Sequence, residues 1–356
     1  ETYVDRETNH KSGSNYVEDV EVAAKLSLSW EVDFFGRLRW ANREALAQYL
    51  QSVEAQRAIQ MTLIADVATA YFELLALDKE MKIVQSTISI REENVHQAKL
   101  RFEGGLISEI PYQQTQVELA KTASMLPDLR MKIKMKENEL SMLTGSLPSV
   151  ILRSDISSDI ISKDGLHVGI PSDVLKRRPD IRGAEYALQG AMANVGYNWA
   201  DRFPRFVIGL DGGFENNGFS GFFQAPLTYM IGELTSPIFS FGKNRAKYQA
   251  ALEAYDAERF RYEEKVLQAF REVDDAIAGY IAAKENTALM ETLKASSHKY
   301  VELARFQYLN GQINYLDVLD AQRSYFNAEI DHSNAIRDQY LALIDMYKAL
   351  GGGWSE

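Results

Sequence analysis

The residues best spaced for shared chemistry are two aspartates in the last fifty residues of the chain, Asp317 and Asp320. In a helix, residues three apart lie on one face, so the two carboxylates would act together and attract cations. Two simpler explanations compete. Asp317 would lie in the first turn of a helix capped by Asn314, where the helix dipole favours a carboxylate in any protein. Asp320 could form an ordinary surface pair with Arg323.

No other pattern predicts catalysis or a cofactor. The five histidines are scattered without the spacing of metal ligands, and the chain has no cysteine, which excludes disulfides, thiolate metal sites and a cysteine nucleophile. The run Arg177-Arg178-Pro179-Asp180 could bind a phosphate, but packing explains it more simply. The net charge of −11 argues against nucleic acid. We therefore expect neither an enzyme nor a metal or cofactor site.

An internal repeat organises the chain. Gly311 lies 206 residues after Gly105, and the same offset aligns Gly351 with Gly145 and residues 241–242 with residues 35–36 (both Phe-Gly). Chance matches would not recur at the same punctuating glycines, so the repeat indicates a duplication. The sequence predicts a first repeat over residues 1–145, a linker over residues 146–168 and a second repeat over residues 169–356.

The sequence pattern of each repeat predicts a strand followed by a long helical hairpin. Residues 24–35 alternate between apolar and polar types, which is typical of a strand with two different faces. Residues 37–102 contain no proline or glycine and predict a coiled-coil helix that would extend roughly 100 Å. Returning helices are predicted at residues 108–143, with a kink at Pro127, and at residues 314–350.

The hairpin tips carry the residues that a tight turn needs. Gly105 and Gly311 permit the turn, and Ser108 and Asn314 are good N-caps for the helices that follow. The strands lie at the opposite end of each hairpin from these tips.

The sequence also bears on whether the chain crosses a membrane. We find no run of about 20 apolar residues, because Asp66 and Glu73 interrupt the best candidate, residues 63–77. The alternating strand fits a small soluble sheet or an outer membrane β-barrel, with Trp30, Tyr229 and Phe239 among its interface aromatics. Because one chain has too few strands to close a barrel, a membrane-embedded sheet requires several chains in a ring.

Several motifs resemble the OprM branch of the TolC family of outer membrane efflux proteins. They are residues 30–37 (WEVDFFGR), 169–175 (GIPSDVL), 177–182 (RRPDIR), 319–324 (LDAQRS) and 347–354 (YKALGGGW). The resemblance implies a mainly α-helical homotrimer with an α-barrel and a 12-stranded transmembrane β-barrel. It implies a passive exit duct in the Gram-negative outer membrane that extends into the periplasm. Its implied partners are outer membrane lipid, a periplasmic adaptor and an inner membrane RND-type pump.

The resemblance also assigns roles to residues near the tips. It implies that Asp317 and Asp320 form an acidic ring at the periplasmic mouth, that Leu316 and Arg323 belong to the same constriction, and that Tyr308 helps to hold the mouth shut. The adaptor would contact the tips at Gly105, Ser108, Gly311 and Asn314. The first repeat has Pro111, Gln114 and Val117 at the positions of Asp317, Asp320 and Arg323, so the two hairpins are not expected to gate equally.

Other interpretations remain open at this point. A long coiled-coil scaffold without a pore, a periplasmic adaptor, or a TolC-like duct for type I protein secretion would share some of these features. The first repeat lacks a counterpart of the second repeat's helix at about residues 173–200, so we expect the chain to be N-terminally truncated. The family's signal peptide and lipid-bearing cysteine would precede Glu1, which leaves lipid anchoring open.

Overall fold

The computed structural model describes residues 2–7, 19–153, 177–216, 226–235 and 242–352. The elements follow in the order β1 (Thr2–Glu7), β2 (Asp19–Val32), α1 (Arg37–Glu103), α2 (Glu109–Ala123), α3 (Met125–Leu143), α4 (Pro179–Ala200), β3 (Arg205–Asn216), β4 (Pro226–Thr235), α5 (Lys243–Leu309) and α6 (Tyr315–Ala349). The motif at residues 169–175, Phe239, Trp354 and most of the predicted linker lie outside the described residues.

The four strands form one antiparallel sheet in the order β1-β2-β3-β4. Leu28 of β2 lies opposite Leu210 of β3, and Leu210 lies opposite Met230 of β4, so the three side chains share one face. The other face carries Ser27, which lies opposite Asp211. The alternation predicted from the sequence therefore extends across the sheet as one apolar face and one more polar face.

The apolar face of this sheet is exposed. Leu26 of β2 exposes 80% of its surface. The other exposed apolar side chains on the same face are Leu28, Trp30, Phe206, Ile208, Leu210, Met230 and Leu234. A soluble chain would bury so continuous an apolar surface, whereas the lipid-facing side of a transmembrane sheet is built this way.

The junction between β2 and α1 differs from the predicted strand end. The sequence predicts a strand to residue 35, but β2 ends at Val32 because Asp33 caps the next helix. The Asp33 carboxylate accepts hydrogen bonds from the backbone N–H groups of Leu38 and Arg39, at 3.1 and 3.0 Å. Gly36 makes the turn with a φ of 81°, which side chains disfavour.

The predicted helices are confirmed with small changes at their ends. The two long helices α1 and α5 each contain 67 residues. The first returning helix is divided at Ser124 into α2 and α3. The division agrees with the kink predicted at Pro127, which has no N–H to donate to the carbonyl of Ala123 one turn earlier.

The chain forms two compact units, residues 1–53 with 183–263 and residues 54–182 with 264–356. Each unit draws on both sequence repeats, because α1 and α5 pass from one unit to the other. The repeat boundaries predicted from the sequence therefore do not coincide with the compact units and stay a prediction. The core of the second unit includes Val84, Leu129 and Phe326.

One described helix, α1, contains an 18-residue window with a mean hydropathy of 1.3, enough to cross a membrane by length and composition alone. By this measure α1 differs from the expectation that the chain contains no such segment. Packing within the second unit explains only part of this window, 28% of which is buried; Ala70 and Leu74 of α1 form a buried cluster with Leu140 of α3.

Candidate functional site

The second hairpin tip joins α5 to α6 through a glycine turn. Gly311 has a φ of 72°, and its N–H donates to the carbonyl of Tyr308 at 3.0 Å. The N–H of Gln312 donates to the carbonyl of Gln307 at 2.9 Å. These two bonds form a Schellman motif, which satisfies the carbonyls at a helix end and reverses the chain.

The first tip, between α1 and α2, has the same geometry. Gly105 has a φ of 71°, and the N–H of Leu106 donates to the carbonyl of Arg101 at 2.8 Å. Ser108 lies at the N-cap position of α2, but within the described residues its hydroxyl makes no capping hydrogen bond. Leu106 exposes 78% of its surface at this tip.

The candidate mouth residues lie on one exposed face at the start of α6. Leu316, Asp317, Asp320 and Arg323 are exposed. Their buried neighbours Val318 and Ala321 pack with Ala304 of α5, so the exposed face points away from the core of this hairpin. The two carboxylates that the sequence singled out are therefore accessible from outside the hairpin.

Asp317 also has a structural role. One of its carboxylate oxygens accepts a hydrogen bond from the backbone N–H of Asn314 at 3.0 Å, which is half of a capping box. The helix-start explanation for Asp317 is therefore correct, and this bond uses one of its two carboxylate oxygens. Asn314 has the extended backbone of an N-cap residue, as predicted.

Arg323 pairs with Glu118 and not with Asp320, so the surface pair suggested by the sequence is wrong. Its Nε donates to a carboxylate oxygen of Glu118 in α2, at 2.9 Å. Among the residues that the structure describes, Asp320 has no ion pair. The reason is geometric: Glu118 lies on the buried face of α2 with Thr115 and Thr122, within reach of a long side chain on α6.

Glu118 lies between two arginines. Its other carboxylate oxygen contacts Nη1 of Arg91 in α1 at 3.1 Å. The Arg91 and Glu118 side chains are 8% and 10% exposed, whereas the Arg323 side chain is 45% exposed. Arg91 also donates to the backbone carbonyl of Glu118 and to the hydroxyl of Thr122, and its guanidinium lies over the ring of Phe326 in α6. The group ties α1, α2 and α6 together, and we call Arg91, Glu118 and Arg323 the arginine clamp.

Tyr308 lies at the end of α5 and contacts the other hairpin. Its hydroxyl accepts a hydrogen bond from Arg101 of α1 at 2.6 Å, and the Arg101 guanidinium lies 5.5 Å from its ring centre. Its ring centre is 5.2 Å from that of Tyr315. These residues border a cavity of about 90 Å³ that is also lined by Arg305 and Gln322.

Arg178 explains the arginine-rich motif as a packing element. Its guanidinium binds Asp180, Glu272 of α5 at 2.5 Å and the backbone carbonyl of Ala349 at 3.0 Å, and the side chain is 5% exposed. The guanidinium is therefore already occupied by protein groups. The phosphate-binding alternative is wrong for Arg178.

Residues in the described part of the chain include no cluster of three or more histidine or acidic side chains that could hold a metal ion. Nothing in that part of the chain argues against the expectation that the protein binds no metal.

Sequence reasoning missed Glu118, Arg91 and Arg101. A signal for the first two was available. Glu118 falls between Thr115 and Thr122 at the three- and four-residue spacing of a buried helix face, and Arg91 extends the core face of α1 that contains Val84. Opposite charges on the buried faces of two adjacent helices indicate a buried ion pair. Arg101 has no comparable signal, because its position in the last turn of a helix is explained by the helix dipole.

Comparison with known proteins agrees with this geometry. The family model for outer membrane efflux proteins matches residues 3–146 and 170–352. The chain is 35% identical to the outer membrane protein OprJ of Pseudomonas aeruginosa and 34% identical to the toluene efflux pump outer membrane protein TtgF of Pseudomonas putida. Each match spans 333 residues, 92% of this chain and 69% of the relative.

The fold is also that of solved channels. A crystal structure of CusC, described in terms of transmembrane channel formation, matches with a TM-score of 0.91 and 28% identity over 99% of this chain and 82% of CusC. Such outer membrane channels combine an α-barrel with a β-barrel, and the fold class predicted from the sequence is confirmed. These relatives are channel and efflux proteins rather than enzymes.

The matched family, the solved channel fold and the exposed apolar sheet agree, and they favour the efflux channel over the scaffold and adaptor alternatives. The chain belongs to the outer membrane efflux protein family and is the outer membrane channel of a tripartite efflux system in a Gram-negative bacterium.

Proposed function

We propose that three copies of the chain form a passive duct whose periplasmic mouth is narrowed by Asp317 and Asp320. Three-fold symmetry would bring six carboxylates around one axis. The observation that carries the proposal is the exposed face of α6, where both aspartates lie opposite the buried Val318 and Ala321. Like charges gathered around one axis attract cations.

The arginine clamp supports a role for Arg323 in holding the mouth closed. Arg323 is on the same exposed face as Asp320, and its partner Glu118 belongs to the first hairpin. A movement of α6 away from α2 must break this ion pair. Tyr308 would act in the same direction, because its hydrogen bond to Arg101 joins α5 to α1.

Only the second hairpin carries the acidic face. In the first repeat, Pro111, Gln114 and Val117 occupy the matching positions, and Val117 is exposed without a charge. The second hairpin would therefore move and carry the charged ring, while the first hairpin holds the other half of the clamp.

The tips are the proposed contacts for the periplasmic adaptor, which would link the duct to an inner membrane RND-type pump. Gly105 and Gly311 close the turns with backbone bonds, which leaves Ser108, Asn314 and the exposed Leu106 at the outer end of the hairpins. An exposed apolar side chain beside a rigid turn suits docking of another helical hairpin. The relatives are named for toluene and for cation efflux, which supports a duct whose cargo is chosen by the pump.

The test is single-channel recording of the full-length protein in planar bilayers. Asp317→Asn with Asp320→Asn removes both charges and keeps an oxygen that can accept the Asn314 N–H. We expect block of the channel by a trivalent cation such as La³⁺ to weaken by at least about tenfold, or 1.4 kcal/mol. Asp317→Ala with Asp320→Ala also removes bulk and should raise the leak conductance.

The matched control is Glu263→Gln with Glu264→Gln, which removes two exposed charges from α5 far from the tip. This control should keep the La³⁺ block of the unmodified channel. If both aspartate variants keep the La³⁺ block and the leak conductance of the unmodified channel, the acidic ring is ruled out.

A further inference from the structure

The cavity beside Tyr308 has the chemistry of an anion site. Two arginines line it, Arg101 from α1 and Arg305 from α5, and no carboxylate does. Across the described residues, neither guanidinium has a carboxylate within ion-pair distance, and the hydrogen-bond partner of Arg101 is the neutral hydroxyl of Tyr308. Two cationic groups at one cavity without a counter-charge favour a negatively charged occupant.

The positive charges of both guanidiniums affect the same side chain of this cavity, Tyr315. Burial raises the pKa of the Tyr315 hydroxyl, and Tyr308 raises it further, while the positive charges of Arg101 and Arg305 oppose the shift. The two arginines therefore project their charge onto one side chain of the cavity wall, although they come from different helices.

The remaining wall combines two tyrosines and several apolar side chains with the amides of Asn94, Gln97 and Gln322. Tyr308 and Tyr315 lie together on one side, and Ala98 and Val318 are among the buried residues that complete the lining. An inorganic ion would leave this surface in contact with water. A planar carboxylate suits the fork of a guanidinium, and an aromatic body suits the part of the wall that the tyrosines and the apolar side chains form.

We propose that this cavity binds a small organic anion, an aryl or similarly apolar carboxylate, with Arg101 and Arg305 holding the charged group. The occupant would contact α1 on one side and the adjoining ends of α5 and α6 on the other. Binding therefore joins the ends of the two long helices, and it stabilises the folded protein because the unfolded chain has no such site. This site is separate from the acidic face, and its occupancy does not depend on the mouth assignment.

The experiment uses 4-fluorobenzoate as the probe and the full-length protein in lipid nanodiscs. Binding is followed by ¹⁹F NMR line width and by the midpoint of thermal unfolding. We expect 4-fluorobenzoate to bind, and 4-fluorobenzyl alcohol, which has the same body without the charge, to bind at least about tenfold more weakly. Saturating 4-fluorobenzoate should raise the unfolding midpoint.

The decisive variant is Arg305→Gln, which should weaken the binding of 4-fluorobenzoate by about tenfold or more, because it removes a charge-assisted hydrogen bond. Arg305→Lys keeps the charge and should recover part of the affinity. The matched control is Lys99→Gln, at the position that corresponds to Arg305 in the first repeat; Lys99 is exposed, pairs with Glu103 and does not line the cavity. It should bind like the unmodified protein.

Three results would overturn the proposal. They are equal affinity for the acid and the alcohol, equal loss of affinity in Arg305→Gln and Lys99→Gln, and no binding of 4-fluorobenzoate to the unmodified protein. Because binding is measured without reference to conductance, failure here leaves the acidic mouth standing, and failure of the La³⁺ experiment leaves this site standing.

Discussion

Replacing Arg323 by glutamine should open the mouth without unfolding the protein. The change removes the ion pair to Glu118, in which the arginine side chain is 45% exposed. A half-exposed pair of this kind contributes about 0.5–1 kcal/mol. If three copies must release together, about 1.5–3 kcal/mol of the closed state is lost, which shifts the ratio of open to closed channels by roughly 10- to 150-fold.

Replacing Glu118 by glutamine should have a larger and different effect. It breaks the same pair and also leaves Arg91 buried without a counter-charge, although Arg91 keeps its hydrogen bonds to Thr122 and to the backbone carbonyl of residue 118. Loss of one partner from a buried ion pair costs about 3 kcal/mol or more. We therefore expect lower thermal stability together with a more open channel, whereas Arg323→Gln changes the channel far more than the stability.

The assay is the open probability in planar bilayers, paired with thermal unfolding in nanodiscs. The matched control is Arg271→Gln, which removes one exposed charge from α5; among the described residues its ion-pair partner is the exposed Asp275, at 3.9 Å. A double-mutant cycle between Glu118 and Arg323 should show a coupling of about 0.5–1 kcal/mol per chain. Equal open probabilities for Arg323→Gln and Arg271→Gln, or a cycle without coupling, would refute the role of the ion pair in closing the mouth.

Three further predictions concern stability, each checked by thermal unfolding of the purified protein. Arg178→Met should lower the free energy of unfolding by roughly 2–4 kcal/mol, because the carboxylates of Glu272 and Asp180 lose their shared partner. Stability equal to that of the unmodified protein would contradict the packing role. Gly311→Ala should lower the free energy of unfolding by about 1 kcal/mol, because Gly311 has a positive φ. Gly279 lies at an exposed position in the middle of α5 with open space where a Cβ would stand, so Gly279→Ala should raise it by about 0.5–1 kcal/mol. Effects of the same sign would contradict the role of Gly311 in the turn. Burial, with Lys294 nearby, lowers the pKa of His332, so the unfolded chain binds a proton at higher pH than the folded protein does. Stability should therefore fall as the pH drops below about 6.5. His332→Gln should lose less stability between pH 7 and pH 5, and a loss identical to that of the unmodified protein would rule out this cause.

The long helices, the tips and the sheet could be predicted because local chemistry specifies them. The absence of proline and glycine from residues 37–102 predicts α1, and positive-φ turns require glycines such as Gly105 and Gly311. The strand end at Val32 was missed because Asp33 and Phe34 continue the alternation. The capping bonds from Leu38 and Arg39 to the Asp33 carboxylate decide the boundary instead.

The candidate site was predicted only in part, for a different physical reason. Asp317 and Asp320 could be identified because their spacing acts within one helix. The partner of Arg323 could not be identified, because Glu118 lies 205 residues earlier and meets it only when α2 packs beside α6. The same limit applies to Arg101 and Tyr308, which belong to different repeats. Interactions within one turn follow from the sequence, and interactions between hairpins depend on the packing.

The Schellman turns have a consequence for how the tips can change. At both tips the chain reverses through backbone hydrogen bonds and one glycine, so the side chains of Leu106 and Gln312 contribute little to forming the turn. Substitution at these positions is therefore nearly free of cost to folding. A duplicated gene with two such tips could adjust each of them to a new partner independently, while the duct behind them kept its shape.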